Sequence, residues 1–146
     1  IKKYKRALQV LEAEMSGDTE LTKIEALWAY ARMMNTLDVS HIEPLLTEDF
    51  HYASQMVLEE ITSKRAFLDY IMPKLNSIAQ SGAMVYAEIG ELKTYPGGQC
   101  VVIAQGSKEN LVATVLAEVR DGFIKRLDMC TIPAPTDAER TGEYPS

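Results

Sequence analysis

The chain has 146 residues, of which 47% are hydrophobic and 25% charged, and this balance is typical of one folded domain. Asp and Glu number 21 against 15 Lys and Arg, and the net charge of -6 argues against a nucleic-acid or anionic-membrane partner, because both need a concentrated positive field. Two cysteines are too few for a disulfide scaffold or a thiolate metal site, and they predict a reducing, cytoplasmic compartment.

The beginning of the chain predicts three helices. Residues 1–15 carry apolar side chains at three-to-four spacing, which predicts an amphipathic helix. Because an isolated helix of this length is marginal in water, we expect it to dock on its own subunit or on a partner. Thr22 with Glu25 and Ser40 with Glu43 have the spacing of capping boxes, so we expect two further helices to begin there.

A strand and a long helix are predicted next. Residues 49–54 alternate aromatic and smaller side chains, which indicates a strand, and residues 57–61 suggest a second short one. A helix then begins near Thr62 or Ser63. Pro73 lies inside its apolar pattern, and because proline lacks a backbone N–H we expect a kink or a break there.

The rest of the domain predicts an antiparallel meander. Turn signals separate four strand candidates, which cover residues 83–95, 99–106, 110–120 and 123–132. The first turn, residues 95–98, has proline and glycine where a type II turn needs them, and the last, Asp121-Gly122, is a strong hairpin signal. Residues 133–146 have three prolines, mixed charge and no period, so we expect a loosely ordered tail.

Two of these strands are apolar on both faces. Residues 100–104 and 111–117 are nearly continuous apolar runs, whereas an antiparallel sheet with one solvated face should alternate. The helices can cover one face. A second copy of the chain is the simplest cover for the other, so we expect a homodimer through the sheet. The architecture is α+β, with helices first and a curved antiparallel sheet after them.

The order of elements resembles the nuclear-transport-factor-2-like superfamily, which includes ketosteroid-isomerase-like and polyketide-cyclase-like proteins. The blocks that carry the resemblance are residues 30–38, 42–50, 52–55, 62–68 and 121–124. They span a domain of residues 21–132, which leaves residues 1–20 as an N-terminal helical extension. The resemblance implies a cone-shaped, cystatin-like roll, in which N-terminal helices pack in a curved antiparallel sheet with a pocket at the open end.

The isomerase chemistry of that superfamily transfers only in part. The resemblance places Tyr30 at the position of the oxyanion donor, but it places Ser54 where the general base should be an Asp. A serine hydroxyl cannot act as a base near pH 7 without its own activator. The second oxyanion donor, a buried acid, would fall at Leu116-Ala117, where no acid is present. Asp128 on the last strand is a looser match to the catalytic Asp of other members.

Several side chains are candidates for a ligand pocket, with Tyr30 and Asp128 as weak catalytic candidates. The candidates are Tyr30, Met34, Phe50, Tyr52, Ser54, Arg126 and Asp128. Strand periodicity puts Phe50, Tyr52 and Ser54 on one face, although the tyrosines could equally be core aromatics. Arg126 and Asp128 share a parity. They form a buried pair in the pocket if that face looks inward, and surface charges or a dimer salt bridge if it looks outward.

Other site chemistries are not indicated. His41 and His51 lack the spacing of metal ligands, and there is no glycine-rich phosphate loop, so we expect neither a metal nor a cofactor. Cys100 and Cys130 fit small core residues better than a redox pair. Three functions stay open: binding of a small hydrophobic or amphipathic molecule, protein interaction through the sheet face or residues 1–15, and catalysis as an isomerase, cyclase or dehydratase.

Overall fold

The computed structural model describes residues 21–57, 59–94 and 98–146. Their α-helices and strands are, in chain order, α1 (Lys23–Thr36), β1 (Leu46–Ser54), α2 (Lys64–Ser81), β2 (Val85–Leu92), β3 (Gln99–Gln105), β4 (Leu111–Arg120), β5 (Phe123–Cys130) and β6 (Ala138–Arg140). Short 3₁₀ turns occupy Val39–His41, Glu43–Leu45 and Pro135–Asp137. The α+β class is confirmed. The predictions for residues 1–15 and for the turn at 95–97 lie outside the described residues.

The first capping box is confirmed and the second is wrong. The Thr22 hydroxyl accepts a hydrogen bond from Glu25 N at 3.2 Å, and the Glu25 carboxylate accepts one from Thr22 N at 3.1 Å. At the short third helix it is Asp38 that caps, because its carboxylate accepts from Ser40 N at 2.9 Å. That segment forms two 3₁₀ turns, and the second of them has Pro44 in its first turn.

Helix α2 passes through Pro73 without a break. The Ser63 side chain caps the N-terminus by accepting from Ala66 N at 3.1 Å. Pro73 lies on the exposed side of the helix, so the carbonyl that it leaves without a partner can face water. Phe67 and Leu75 are buried on either side of it, and their packing holds the two halves in one helix.

The six strands form one mixed sheet in the order β1-β5-β4-β3-β2-β6. The predicted meander is present, since β2 to β5 pair antiparallel with their neighbours, and Asp121 and Gly122 turn the last hairpin with positive φ angles of 53° and 82°. Strand β1, however, pairs parallel with β5. The second short strand predicted at residues 57–61 is reduced to one bridge between Tyr52 and Ile61.

The sheet has two faces with different covers. The face on which the helices pack, here called the inner face, includes Val101, Ile103 and Leu127 in the main core. The opposite, outer face carries a smaller cluster of Leu92, Cys100 and Val102. This division accounts for the apolar strands, because alternate residues are buried on both sides.

The chain's own C-terminal segment covers part of the outer face, where we had expected a second copy. Residues 133–146, here called the C-terminal strap, are not a loosely ordered tail. The Thr114 hydroxyl donates to the Pro133 carbonyl at 2.9 Å, and Ala138 packs on the Cys100 and Val102 cluster. Strand β6 of the strap pairs antiparallel with β2 at Gly90. A segment of fourteen residues with three prolines can still pair and pack on a sheet edge.

Buried polar contacts fasten the end of the strap. Glu88 is 3% exposed and accepts from Arg140 Nε at 2.7 Å and from Gly142 N at 2.8 Å. Asn35, near the end of α1, donates to the carbonyls of Ala87 and Pro145 at 2.8 and 2.7 Å. No helix among the described residues has the length and apolar content to cross a membrane.

Candidate ligand-binding site

An aromatic layer joins β1 to α2 on the inner face. The alternation of β1 turns Phe50 and Tyr52 to the same side, and Phe67 and Tyr70 lie one turn apart on α2. Phe67 contacts both strand residues, with ring centroids 5.0 Å from Phe50 and 5.3 Å from Tyr52. The ring centroids of Tyr52 and Tyr70 are 5.7 Å apart. These spacings are those of interacting aromatic pairs.

Three phenols come together in this layer, here called the tyrosine cluster: Tyr30, Tyr52 and Tyr70. Tyr30 reaches it from α1 and is 1% exposed, and Tyr52 is 3% exposed. Burial raises the pKa of Tyr30, and the nearby Tyr70 phenol raises it further. Burial, followed by Tyr30 and Tyr70, raises the pKa of Tyr52. Both phenols therefore stay protonated at neutral pH, and the Tyr52 hydroxyl donates to Met129 Sδ at 3.8 Å.

One ammonium group adjoins the cluster. Lys74 lies one turn after Tyr70 on α2, and its Nζ donates to the Tyr70 hydroxyl at 3.2 Å. The same nitrogen lies 5.5 Å from the centre of the Tyr70 ring, within the range of a cation–π contact. Neither residue is among the site candidates predicted from the sequence. The i, i+4 spacing of a tyrosine and a lysine on an amphipathic helix is the signal that could have found them.

Ser54 ends β1 and shares the parity of Phe50 and Tyr52. Its hydroxyl accepts a hydrogen bond from Met56 N at 3.2 Å, a contact that turns the chain at the end of the strand. Met34 and Phe50, also predicted to line the pocket, are buried members of the main core. The structure thus brings five of the seven predicted site residues to the inner side of the sheet.

Arg126 and Asp128 lie on the other face, so their placement in the same pocket needs correction. Asp128 pairs in register with Ala53 and Leu116, whereas its neighbour Leu127 pairs with Tyr52. Since paired residues point to the same face, Asp128 points away from the tyrosines. Of the two placements that the sequence left open, the outward one is present. Tyr30 and Asp128 of one subunit therefore cannot act together in catalysis.

The outward residues form an ion network. Arg126 donates to Asp128 from Nε at 3.0 Å and from Nη2 at 2.9 Å, and it also pairs with Glu60. His51 Nδ1 lies 3.6 Å from Glu60 on the same side. These carboxylates raise the pKa of Arg126, chiefly through the hydrogen bonds of Asp128. The network links β5 to the segment after β1 and leaves its side chains about one-third exposed.

The cysteines and histidines of the described residues form no metal site. No group of three His, Cys, Asp or Glu side chains there is placed to hold an ion. Cys100 and Cys130 are unpaired and buried. Burial raises the pKa of the Cys100 thiol to about 12 and also raises that of Cys130. Both thiols therefore stay protonated and unreactive in the native state.

No protein-family model and no curated protein matches the sequence. Solved structures match the fold. An NTF2-like protein of unknown function from Cytophaga hutchinsonii has a TM-score of 0.53 and 13% identity, over 78% of this chain and 95% of that chain. A SnoaL-like protein of unknown function from Burkholderia thailandensis has a TM-score of 0.53 and 14% identity, over 84% and 99%. An uncharacterised cystatin-fold protein from Novosphingobium aromaticivorans has a TM-score of 0.54 and 12% identity, over 75% and 98%.

These structural similarities confirm the NTF2-like, cystatin-like fold that the sequence resemblance implies. At such identities the likeness concerns the fold alone, and one fold carries many unrelated activities. The function of this chain therefore depends on the chemistry of the tyrosine cluster and its surroundings.

Proposed function

We propose that this chain binds a small hydrophobic or amphipathic molecule between its helices and the inner face of the sheet. One observation carries the proposal: the tyrosine cluster brings two buried phenols and one partly buried phenol together at an otherwise apolar core, where a hydroxyl costs free energy unless it has a partner. Phenylalanine would fill the same volume without that cost. Hydroxyl groups that converge in apolar surroundings are typical of sites that orient a ligand.

The proposal excludes the tyrosines as a general base and makes steroid-type enolisation the weaker alternative. Tyr30 can donate to an oxyanion, as the family resemblance implies. Among the described residues, however, no carboxylate contacts Tyr30, Tyr52 or Tyr70, and Ser54 lacks an activator. An isomerase, cyclase or dehydratase reaction would need a proton acceptor from the ligand or from elsewhere in the chain. We therefore propose binding without acid–base catalysis.

Extraction of the purified protein with organic solvent, followed by mass spectrometry, tests the binding function. We expect a small amphipathic molecule in the extract of the wild-type protein and less of it from Tyr52→Phe. Tyr86→Phe is the matched control, because Tyr86 packs at the C-terminal strap, away from the cluster. An extract that equals the buffer blank, together with no stabilisation by any of a panel of amphipathic molecules in thermal unfolding, would contradict the proposal.

The second function in the proposal is self-association through the open part of the outer face. Leu116 is half-buried on this face, packs at the edge of the Cys100 and Val102 cluster and pairs in register with Asp128. Arg126 and Asp128 offer opposite charges to a symmetric partner. A stable homodimer needs about 800 Å² from each partner. Sedimentation equilibrium tests this. We expect a dimer of the wild-type protein at micromolar concentration and a monomer of Leu116→Lys. A monomeric wild-type protein would contradict self-association, and it would also remove this support for a protein that acts only as an interaction module.

We propose a reducing, cytoplasmic compartment on the basis of the thiols. Cys100 and Cys130 are unpaired and lie on different strands, which supports a reducing, cytoplasmic location.

A further inference from the structure

Lys74 adjoins the tyrosine cluster and, like Lys108 over the rings of Tyr86 and Tyr144, has no carboxylate beside it in the described part of the chain. Arg126, Arg140 and Lys125 each contact a carboxylate. Lys74 has no carboxylate partner among the described residues, and its one hydrogen bond is to the Tyr70 hydroxyl. An ammonium group has three donors, so two of them are left for water or for a ligand. In a chain with a net charge of -6, this is an unneutralised positive charge beside a buried polar cluster.

The groups around Lys74 are donors. Tyr52 and Tyr30 stay protonated. The Tyr52 hydrogen is donated to Met129 Sδ, a weak acceptor that a ligand oxygen can replace. With Tyr70 and Lys74 they make a set of one charged and three neutral donor groups. Such a set is complementary to an oxygen that carries negative charge, because charge-assisted hydrogen bonds are shorter and stronger than neutral ones.

We propose that the ligand of the tyrosine cluster carries a single carboxylate, which Lys74 and Tyr70 bind, while its apolar body lies against the aromatic layer. The inference rests on the proposed binding function and adds the chemical class of the ligand. One lysine matches one negative charge, whereas a phosphate carries about two and is commonly bound by several donors and cations. Lys74 is partly exposed, so the carboxylate lies at the solvent side and the apolar body further in.

Naphthalene-2-carboxylate and its neutral isostere naphthalene-2-carboxamide test the inference by calorimetry. The two probes have the same rings and differ in the charge of the group that Lys74 would bind. We expect the carboxylate to bind the wild-type protein at least about tenfold more tightly and this preference to weaken with added salt. Lys74→Met should abolish the preference and leave the affinity for the amide unchanged.

Two further variants separate charge from hydrogen bonding and from general electrostatics. Lys74→Gln keeps a donor near Tyr70 but removes the charge, so it should also lose the preference. Lys64→Met removes the lysine at the first residue of the same helix and should retain it. The circular dichroism of every variant is compared with that of the wild type, and the Lys74→Gln result decides if Lys74→Met does not fold.

The outcomes distinguish the two proposals. Equal affinity of the two probes for the wild-type protein, or an equal loss of both in Lys74→Gln, overturns the carboxylate inference and leaves the binding function standing. If neither probe binds and the solvent extract also equals the blank, the binding function fails and the inference fails with it. A preference for the carboxylate that survives in Lys74→Gln but is lost in Lys64→Met also overturns the role of Lys74.

Discussion

The two faces of the sheet keep their polar groups in different ways. On the inner face the polar side chains are phenols, two of them buried and neutral with raised pKa values, and a partly exposed lysine without a carboxylate partner among the described residues. On the outer face the charged side chains lie in pairs, Glu88 with Arg140 and Asp128 with Arg126. Paired ions satisfy each other and hold segments together. Lys74 on the inner side has donors left for a ligand, which is why we place the ligand there and the structural role on the outer side.

Removal of the C-terminal strap should have the largest effect. A chain that ends at Ile132 exposes the apolar cluster of Cys100 and Val102 and loses the pairing of β6 with β2. We expect the melting temperature to fall by more than about 10 °C, because burial and hydrogen bonds worth several kcal/mol are lost together. Calorimetry of the truncated and full chains measures this. A melting temperature within about 2 °C of the full chain would show that the strap does not stabilise the outer face.

Phe67→Ala should have the next largest effect, this time on the inner face. Phe67 is fully buried and contacts both Phe50 and Tyr52. Its removal should lower the free energy of unfolding by about 4 kcal/mol, because the transfer free energy of the ring is lost and a cavity remains. Urea titration measures the change. Phe123→Ala is the control: this ring is 46% exposed, and we expect a loss below about 1 kcal/mol.

Glu88→Gln should lower the free energy of unfolding by about 2 kcal/mol. The amide keeps the size of the carboxylate but leaves Arg140 without its counter-charge. Because Arg140 is partly exposed, the loss is smaller than the free-energy penalty for breaking a fully buried ion pair. Urea titration again measures the loss. Lys93→Gln breaks an exposed ion pair with Glu139 of the same strap and should be nearly neutral. Equal losses in the two variants would contradict the buried role of Glu88.

The rate at which the Cys100 thiol is modified tests whether the strap covers the outer face, and it is a smaller effect than those above. Cys100 lies under the strap, and burial holds its pKa at about 12, far above a neutral or mildly basic buffer. At pH 8 the thiol is therefore protonated, and a disulfide reagent should modify it only through opening of the structure. Thiol titration with and without denaturant measures this. Rapid modification of Cys100 in the native full chain would contradict its placement under the strap.

Ser54→Ala should have the smallest effect. Its hydroxyl accepts a single hydrogen bond from Met56 N, so the loss of stability should be below about 1 kcal/mol. If an activity is found, it should stay within roughly tenfold of the wild type. A loss on the order of a thousandfold would instead give this serine a chemical role.

Local rules predicted much of the fold. Thr22 and Glu25 form their capping box within one turn, and the Asp121-Gly122 hairpin needs only two residues in the left-handed region. The strap and the parallel pairing of β1 depend on contacts between residues far apart in sequence, which no local pattern encodes. The apolar strands correctly indicated two covered faces, but composition cannot tell a cover in the same chain from one in a second copy.

The faces of the candidate side chains were predicted only in part. Period-two alternation grouped Phe50 with Tyr52, and both face the helices. The same rule grouped Arg126 with Asp128 but could not assign their face, because that needs the register of β5 against β1. Lys74 was missed for a different reason. A lysine on an amphipathic helix reads as a solvated residue until its neighbour across one turn is known to reach a buried cluster.

Asn35 couples the opening of three segments of the molecule. Its one amide accepts from Ala87 N at 2.7 Å and donates to carbonyls of β2 and of the strap, so helix α1, the sheet edge and the C-terminal residues share a single side chain. Opening of the Ala87 amide breaks a hydrogen bond of the same side chain that holds Pro145. In hydrogen exchange, the Ala87 amide should therefore be protected to the same degree as the Ile89 amide, which bonds to Glu143 in the strap. The helix that carries Tyr30 and the last residues of the chain would then open as one unit.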